Sequence, residues 1–422
     1  MVNVASTDTR GRGGFWGLIV TQFQGAFSDN ALKNLVIFLI LGMSLQHELS
    51  NRLISFVGII FAVPFLLFSL AGGYLADRYS KRSVVIWTKY LEIAVMVVAL
   101  AGLALVNLPL QFAAIFLVCT QAALFGASKY GLLPELLPQE QLSWGNGILE
   151  LGTFLASLTG TMAGAFLADE FRGRQMYSGL ALLAISFAGL ATSYAISHVP
   201  AADPAKQFVR NPLKDLRRQF AAIRSDRLLA FAVAGNTYFW YLAALIILLV
   251  VVYGTDVLGL SAVRTSYLQA AMALGIGAGS LAAGYASGKK IEYGFVPPAA
   301  AAMAIVCAAL AWPGISYRAV LTELALLGFF AGFFAVPINA LIQRQPPAED
   351  RGGVIATANL ISWIGIGISS GMYYFCAEAL HLAPSGIFLV SAATTLAAGI
   401  GLVCAQPDSL TRIRRPRDSA AP

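Results

Sequence analysis

The chain has 422 residues, 58% of them hydrophobic and only 12% charged, with a mean hydropathy of +0.72 and a formal net charge of +7. A soluble domain is about 45–50% apolar and about 25% charged, so a soluble fold is excluded. The apolar stretches are about 20 residues long, the length an α-helix needs to cross a bilayer, and they lack the short alternation of a membrane β-barrel. In such a chain the basic excess reports cytoplasmic loops rather than nucleic-acid binding.

The first residues, MVNVASTDTRGRGG, are polar and basic. They lead into a long apolar run that reads as a retained signal anchor, not as the short core of a cleavable signal. Inside that run, FQGAFSDNALKNLVIFLILGM (23–43) carries Asp29, Asn30, Lys33 and Asn34. A charge at the centre of a membrane helix costs about 2.5–3.5 kcal/mol on insertion scales. Two of them point to a polar pathway. Asp29 and Lys33 are four apart and can pair on one helical face, with Gln22 on the same face.

Twelve spans are predicted, at about 15–44, 53–75, 83–105, 110–128, 144–168, 177–197, 228–253, 263–287, 294–312, 319–342, 354–378 and 384–404. With the N-terminus inside, the inner segments hold 21 of the 28 basic residues. That bias predicts both termini in the cytoplasm. The long connection at 197–227 holds seven basic residues and a possible amphipathic helix at 212–224. It reads as an interfacial linker on anionic headgroups. The tail RIRRPRD (412–418) reads as a second inner-surface anchor. The expected division is therefore 1–197, a six-helix bundle; 198–227, a linker; 228–404, a second six-helix bundle; and 405–422, a basic tail.

Two six-span halves around a cytoplasmic linker resemble the plan of the major facilitator superfamily. The loop GGYLADRYSKR (72–82) sharpens that likeness, matching the superfamily signature G-x-L-A-D-R-x-G-R-K/R from Gly73 to Arg82. The resemblance implies a conformational switch. Gly73 lets two helices approach, and Asp77 faces the positive end of a helix, with Gly352–Gly353 before span 11 as counterpart. Arg78, Lys81 and Arg82 are expected to hold the loop at the cytoplasmic surface. Ser80 stands where the signature has glycine, which puts the tightness of the turn in question. The matching place in the second half, GYASGKKIEYG (284–294), keeps glycines and a lysine pair but has no aspartate.

Span 3 holds Lys89 and Glu92, expected to pair near the inner interface with Lys89 snorkelling outward. Gln121 lies within span 4 and Lys129 near its end, and Pro134 and Pro138 are expected to break the following connection into short turns. Asn146, Glu150, Thr153 and Ser157 share one face of span 5. Thr153 and Ser157 can simply bond back to their own helix. Span 7 offers Asn236 and Trp240. Span 10 offers Phe329, Phe330, Phe333 and Phe334, then Asn339 and Gln343 after Pro337. For the phenylalanines, helix packing and an acyl-chain path stand about even.

Three patches narrow the family. QFQGAFSDNALKN (22–34), ASKYGLLPELLPQEQLSWGNGILE (127–150) and AVPINALIQRQPPAEDRGGVIATANL (335–360) resemble, in order and spacing, the lysophospholipid transporter family. Lys33 looks like the version found in members fused to an acyltransferase. The resemblance implies an all-α transporter that carries lysophosphatidylethanolamine or lysophosphatidylglycerol across the bacterial inner membrane for reacylation. The acyltransferase or acyl-activating enzyme would be a separate protein. It implies alternating access, a monomer, and no cofactor. The expected substrate residues are Asp29, Asn30, Lys33, Gln121, Lys129, Glu150, Asn236, Trp240 and Asn339. Lys33 is either a phosphate ligand or the ion partner of Asp29.

Other cargoes are the competing reading. Proton-coupled drug exporters often show a Gly-Pro motif in span 5, where this chain reads GTFLASLTGTMAGA (152–165) with no proline. Organic-solute transport remains a further alternative. Catalysis is not expected. His47, His198 and His381 are far apart, and Arg52 stands where an acyltransferase His-x4-Asp motif would put aspartate. The cysteines Cys119, Cys307, Cys376 and Cys404 are scattered in apolar segments and suggest neither a metal site nor disulfides.

Overall fold

The computed structural model describes residues 5–43, 46–207 and 211–411, and all regular structure among them is helical. The basic tail at 412–418 lies outside the described residues. The predicted spans correspond in order to α1 (Ala5–Gly42), α2 (His47–Arg78), α3 (Lys81–Ala104), α4 (Leu108–Leu136), α5 (Leu142–Glu170), α6 (Met176–Ser193), α8 (Arg227–Val252), α9 (Ala262–Ala286), α10 (Val296–Leu310), α11 (Tyr317–Arg344), α12 (Arg351–Tyr374) and α13 (Pro384–Ala405). The amphipathic helix α7 (Pro212–Ser225) lies in the long connection, as expected.

Several helix starts are written in the sequence. Asp226 Oδ1 accepts from the amides of Leu228 and Leu229 at 2.8 and 3.1 Å, and Asn107 Oδ1 accepts from Leu110 at 3.0 Å. These side chains satisfy amides that have no intrahelical partner. Pro134 departs from expectation: it lies inside α4, which runs on to Leu136. A proline in a last turn costs one bond to the preceding turn, and the helix survives it. Only Pro138 falls beyond the end.

Among the described residues, eleven helices are long and apolar enough to cross a membrane. The remaining long helix, α9, exchanges leucine for glycine, alanine and serine along AMALGIGAGSLAAG. The physical reason lies against α11. A Cβ on Gly275 or Gly279 would overlap the backbone of Ala325 or Phe329, and one on Gly328 or Gly332 would overlap α9 in return. Lipid supplies no hydrophobic drive between helices, so small residues that let backbones touch take its place.

By contacts the chain divides into two compact units. The first comprises the described residues of Met1–Leu137, Leu155–Arg217 and Pro347–Leu360; the second those of Pro138–Phe154, Arg218–Pro346 and Ile361–Pro422. In the first unit Leu32, Leu35 and Val36 of α1 meet Met96 and Leu103 of α3, Ile115 and Val118 of α4, and Leu182 of α6. Gly160 and Gly164 let α5 lie against the α1 backbone at Phe27 and Ala31. In the second unit α11 packs on α8, α9 and α10, with Leu245, Met303, Leu324 and Ile338 buried. Helices α5 and α12 each begin in one unit and end in the other.

Candidate functional site

The loop after α2 and the start of α12 form a densely bonded polar site in the first unit. Gly73 has no side chain because there is no room for one: a Cβ would fall 2.6 Å from Ala356 Cβ and 2.7 Å from the Gly352 carbonyl. That approach brings the buried Asp77 carboxylate onto the end of α12. Its Oδ1 accepts from the Gly352 amide at 2.6 Å and its Oδ2 from the Gly353 amide at 3.0 Å. The first residues of a helix carry unsatisfied amides and the positive end of the dipole, so a carboxylate there is doubly favoured. The expected counterpart of Asp77 is therefore the observed one.

The neighbouring residues are tied as well. Lys81 Nζ pairs with Glu135 of α4 at 2.6 Å, and Arg351 approaches the same carboxylate oxygen at 3.9 Å. Asp350 and Asp77 share the ammonium of Lys206, at 2.9 and 2.8 Å. Asp350, Arg351 and the Gly352–Gly353 amides are thus held from the long connection, from α4 and from α2. Arg82 donates to the Ile196 and Tyr194 carbonyls at 2.6 and 3.1 Å, closing the end of α6. Lys81 corrects the expectation of a surface anchor. It is fully buried because its partner Glu135 lies within the unit. Ser80 has φ −54° and ψ 123°, backbone that any residue adopts, so this turn needs no glycine.

A second cluster lies on α1, α3 and α4. Lys89 and Glu92 pair at 2.6 Å and are buried together, and Gln24 completes a ring. Lys89 Nζ donates to Gln24 Oε1 at 2.7 Å, and Gln24 Nε2 donates to Glu92 Oε1 at 2.7 Å. Lys89 does not snorkel, because two hydrogen bonds and the nearby Phe125 ring receive its ammonium inside the unit. Asp29 directly follows Ser28 and lies just over one turn beyond Gln24, within electrostatic reach of Glu92, Lys89, Lys129 and Lys33. With every group ionised these five carry one excess positive charge. Asp29 Oδ1 is buried and accepts no hydrogen bond among the described residues.

Lys33 does not pair with Asp29, contrary to the expectation from spacing. Its Nζ bonds Asn30 Oδ1 at 3.3 Å and sits 4.5 Å over the Phe61 ring of α2. The long side chain reaches α2, where the ring face attracts a cation. Asn30 and Asn34 turn their amides back to α1 carbonyls, and Asn34 also reaches Thr161 of α5 at 3.1 Å. Gln121 is buried in α4. Lys129 lies two turns inside the longer α4, not at its end, with Nζ 4.5 Å over Tyr130.

In the second unit, α5 and α11 carry a polar ladder. Asn146 and Gln343 exchange two amide bonds at 2.9 and 2.6 Å, and Asn339 Nδ2 donates to Glu150 Oε1 at 3.2 Å. The predicted faces of spans 5 and 10 thus meet. Thr153 bonds back to the Leu149 carbonyl at 2.8 Å. Asn236 Nδ2 donates to Ser362 Oγ of α12 at 2.9 Å, and the Trp240 ring meets its neighbour Phe239 edge-on. Phe334 is buried core, while Phe329 and Phe333 stack at 5.2 Å. Nearby, Leu242, Ile246, Met272, Met303 and Leu327 line a small apolar cavity. Gly284 meets α5 at Ser143 and Trp144, as Gly73 meets α12.

Residues 22–370 match the model of the Major Facilitator Superfamily. The chain is 31% identical over 368 residues to the lysophospholipid transporter LplT of Cronobacter sakazakii, covering 85% of this chain and 88% of that one. It is also 31% identical over 356 residues to LplT of Salmonella gallinarum, covering 82% and 84%. The chain belongs to the lysophospholipid transporter family of the major facilitator superfamily. Solved structures agree on the fold. A human organic anion transporter, MFSD10, superposes with a TM-score of 0.77 over 93% of this chain and 99% of that one, at 13% identity. The transporter FucP in its outward conformation gives 0.73 over 93% and 98%, also at 13% identity. This family member is therefore a multi-pass membrane transporter.

Residues of these clusters outside the expected site include Gln24, Glu135, Lys206, Asp350 and Arg351. Gln24 is uncharged and falls among ordinary helical residues, and Glu135 sits in a stretch read as a loop. Lys206 did have a signal. Asp203-Pro204-Ala205-Lys206 is a β-turn sequence.

Proposed function

We propose that this chain carries lysophospholipids, lysophosphatidylethanolamine and lysophosphatidylglycerol among them, across a bacterial inner membrane toward the cytoplasm. Both termini would face the cytoplasm. The observation that carries the reading is the 31% identity to a lysophospholipid transporter over most of both chains.

The chemistry of the first unit supports it. A lysophospholipid head carries a phosphate, which suits a cluster with one excess positive charge, Lys33 and Lys129 being its cationic members. The buried, unsatisfied Asp29 Oδ1 suits an ammonium donor such as ethanolamine. Asn30 and Gln121 supply further polar contacts. In the second unit the cavity beside Met272 and Leu327 is apolar but only about water-sized. Glu150 and Asn339 hold one another there and serve the carrier as a bonded pair. Movement would follow from alternating access, with the start of α12 leaving and regaining Asp77. No covalent step is needed, and reacylation would fall to a separate acyltransferase or acyl-activating enzyme. The carrier would work as a monomer.

The test is reconstitution. Proteoliposomes containing the purified protein should translocate labelled lysophosphatidylethanolamine faster than protein-free vesicles, and diacyl phosphatidylethanolamine should not compete. Equal rates with and without the protein would overturn the substrate. Transport of a drug or an organic acid in the same vesicles would favour the other cargo class.

A further inference from the structure

The long connection between α6 and α7 does more than join them. Residues 203–206 form a β-turn in which the Lys206 amide donates to the Asp203 carbonyl at 3.1 Å. Aspartate at the first position and proline at the second favour this turn, and Asp203 Oδ1 also accepts from the Ala205 amide at 3.1 Å. Both ends of the turn are docked on α2. The Asp203 amide donates to the Asp77 carbonyl at 2.9 Å, and the Arg78 guanidinium donates to the Lys206 carbonyl. The turn then delivers the Lys206 ammonium to three oxygens: Asp77 Oδ2 at 2.8 Å, Asp350 Oδ1 at 2.9 Å and the Glu349 carbonyl at 2.9 Å.

The position is electrostatically specific. A cation beside a helix N-terminus opposes the dipole, so the α12 end alone would repel Lys206. Two carboxylates, Asp77 from α2 and Asp350 from the residue just before α12, reverse the sign. The Lys206 side chain is 11% exposed and uses all three of its protons. A lysine serving only solubility or the membrane surface would extend outward, as Lys214 does.

We propose that Lys206 is a positioning residue of transport: a clasp that closes over Asp77 and Asp350 and holds α12 on α2 until the transport step requires them to separate. This rests on the proposal that α12 leaves Asp77 during alternating access. The long connection then acts as a third arm of the switch rather than as a tether. Its bonds to Asp77 and to Asp350 cannot both persist once the two helices part.

Pulsed EPR between spin labels at Trp87 and Ala348, both exposed, tests this in full-length protein carrying Cys404→Ser to remove the exposed native thiol. The unsubstituted background should show one main distance. Lys206→Met should move at least about a tenth of the molecules to a second, longer distance and raise the fraction further when Asp350→Asn is added. Lys206→Arg should restore the main distance, which a loss of general stability would not predict. An unchanged distribution in Lys206→Met, with a changed one in Asp77→Asn, would overturn the clasp. If Lys206→Met does not yield monodisperse protein, Lys206→Gln and Asp350→Asn carry the same expectation. The distance needs no substrate, so failure of lysophospholipid transport leaves this result standing. Intact lysophospholipid transport with no effect of Lys206 on distance or rate removes the clasp alone.

Discussion

At the scale of single residues, the two charges assigned to the head group make separable predictions. If Lys129 holds the phosphate, Lys129→Ala should weaken lysophosphatidylethanolamine and lysophosphatidylglycerol alike. If Asp29 receives the ammonium, Asp29→Asn should weaken the ethanolamine lipid and spare the glycerol lipid. Hydrogen bonds to charged groups are worth about 1.5–3 kcal/mol, so each loss should reach about ten- to a hundredfold in competition for transport. The Gln24–Lys89–Glu92 ring makes a different kind of prediction. Removing one member of a buried ion pair costs about 3–5 kcal/mol because the other charge is stranded. Lys89→Met should therefore lower the melting temperature in detergent sharply, and Lys89→Met with Glu92→Leu should recover most of the loss.

Elements were far more legible in the sequence than contacts. Each predicted span has its helix within a few residues, apart from the early starts of α1 and α2 and the extension of α4 through Pro134. Twenty apolar residues must be helical in lipid, because no other single segment satisfies its own backbone. The side-chain partners of those helices follow a different rule. Asp29 and Lys33 have the spacing of a pair, yet Lys33 chooses Asn30 and the Phe61 ring. Glu150 finds Asn339 across 189 residues, and no local pattern encodes that choice. Glycine was similarly opaque: α9 reads as a weak span until α11 is laid against it. Gly279→Leu should consequently destroy this packing, since its side chain would enter the Phe329 backbone. Overpacking typically costs about 1–3 kcal/mol, and a clash with backbone should exceed that. Gly401→Leu is the control, with nothing within 4 Å of a new Cβ. Size-exclusion profiles and melting curves of the two variants should separate them cleanly.

At the scale of the whole molecule, the question is how firmly the α12 start is held and what releases it. Lys206 answers part of this through its protonation. Burial alone would lower its pKa, but the Asp77 and Asp350 carboxylates prevail and raise it above the ordinary lysine value, which is about 10.4. A raised lysine stabilises fully below its unfolded pKa and loses that contribution as pH rises through the folded value. The clasp should therefore be indifferent to pH across the neutral and mildly alkaline range and fail only above about pH 10. In the spin-labelled protein the main distance between positions 87 and 348 should be unchanged from pH 7 to pH 9. A longer population should grow toward pH 11. Lys206→Met should already show that population at pH 7 and gain little more at pH 11. An alkaline step of equal size in Lys206→Met would assign it to another group. A step already complete by pH 9 would mean that Lys206 is not held by both carboxylates.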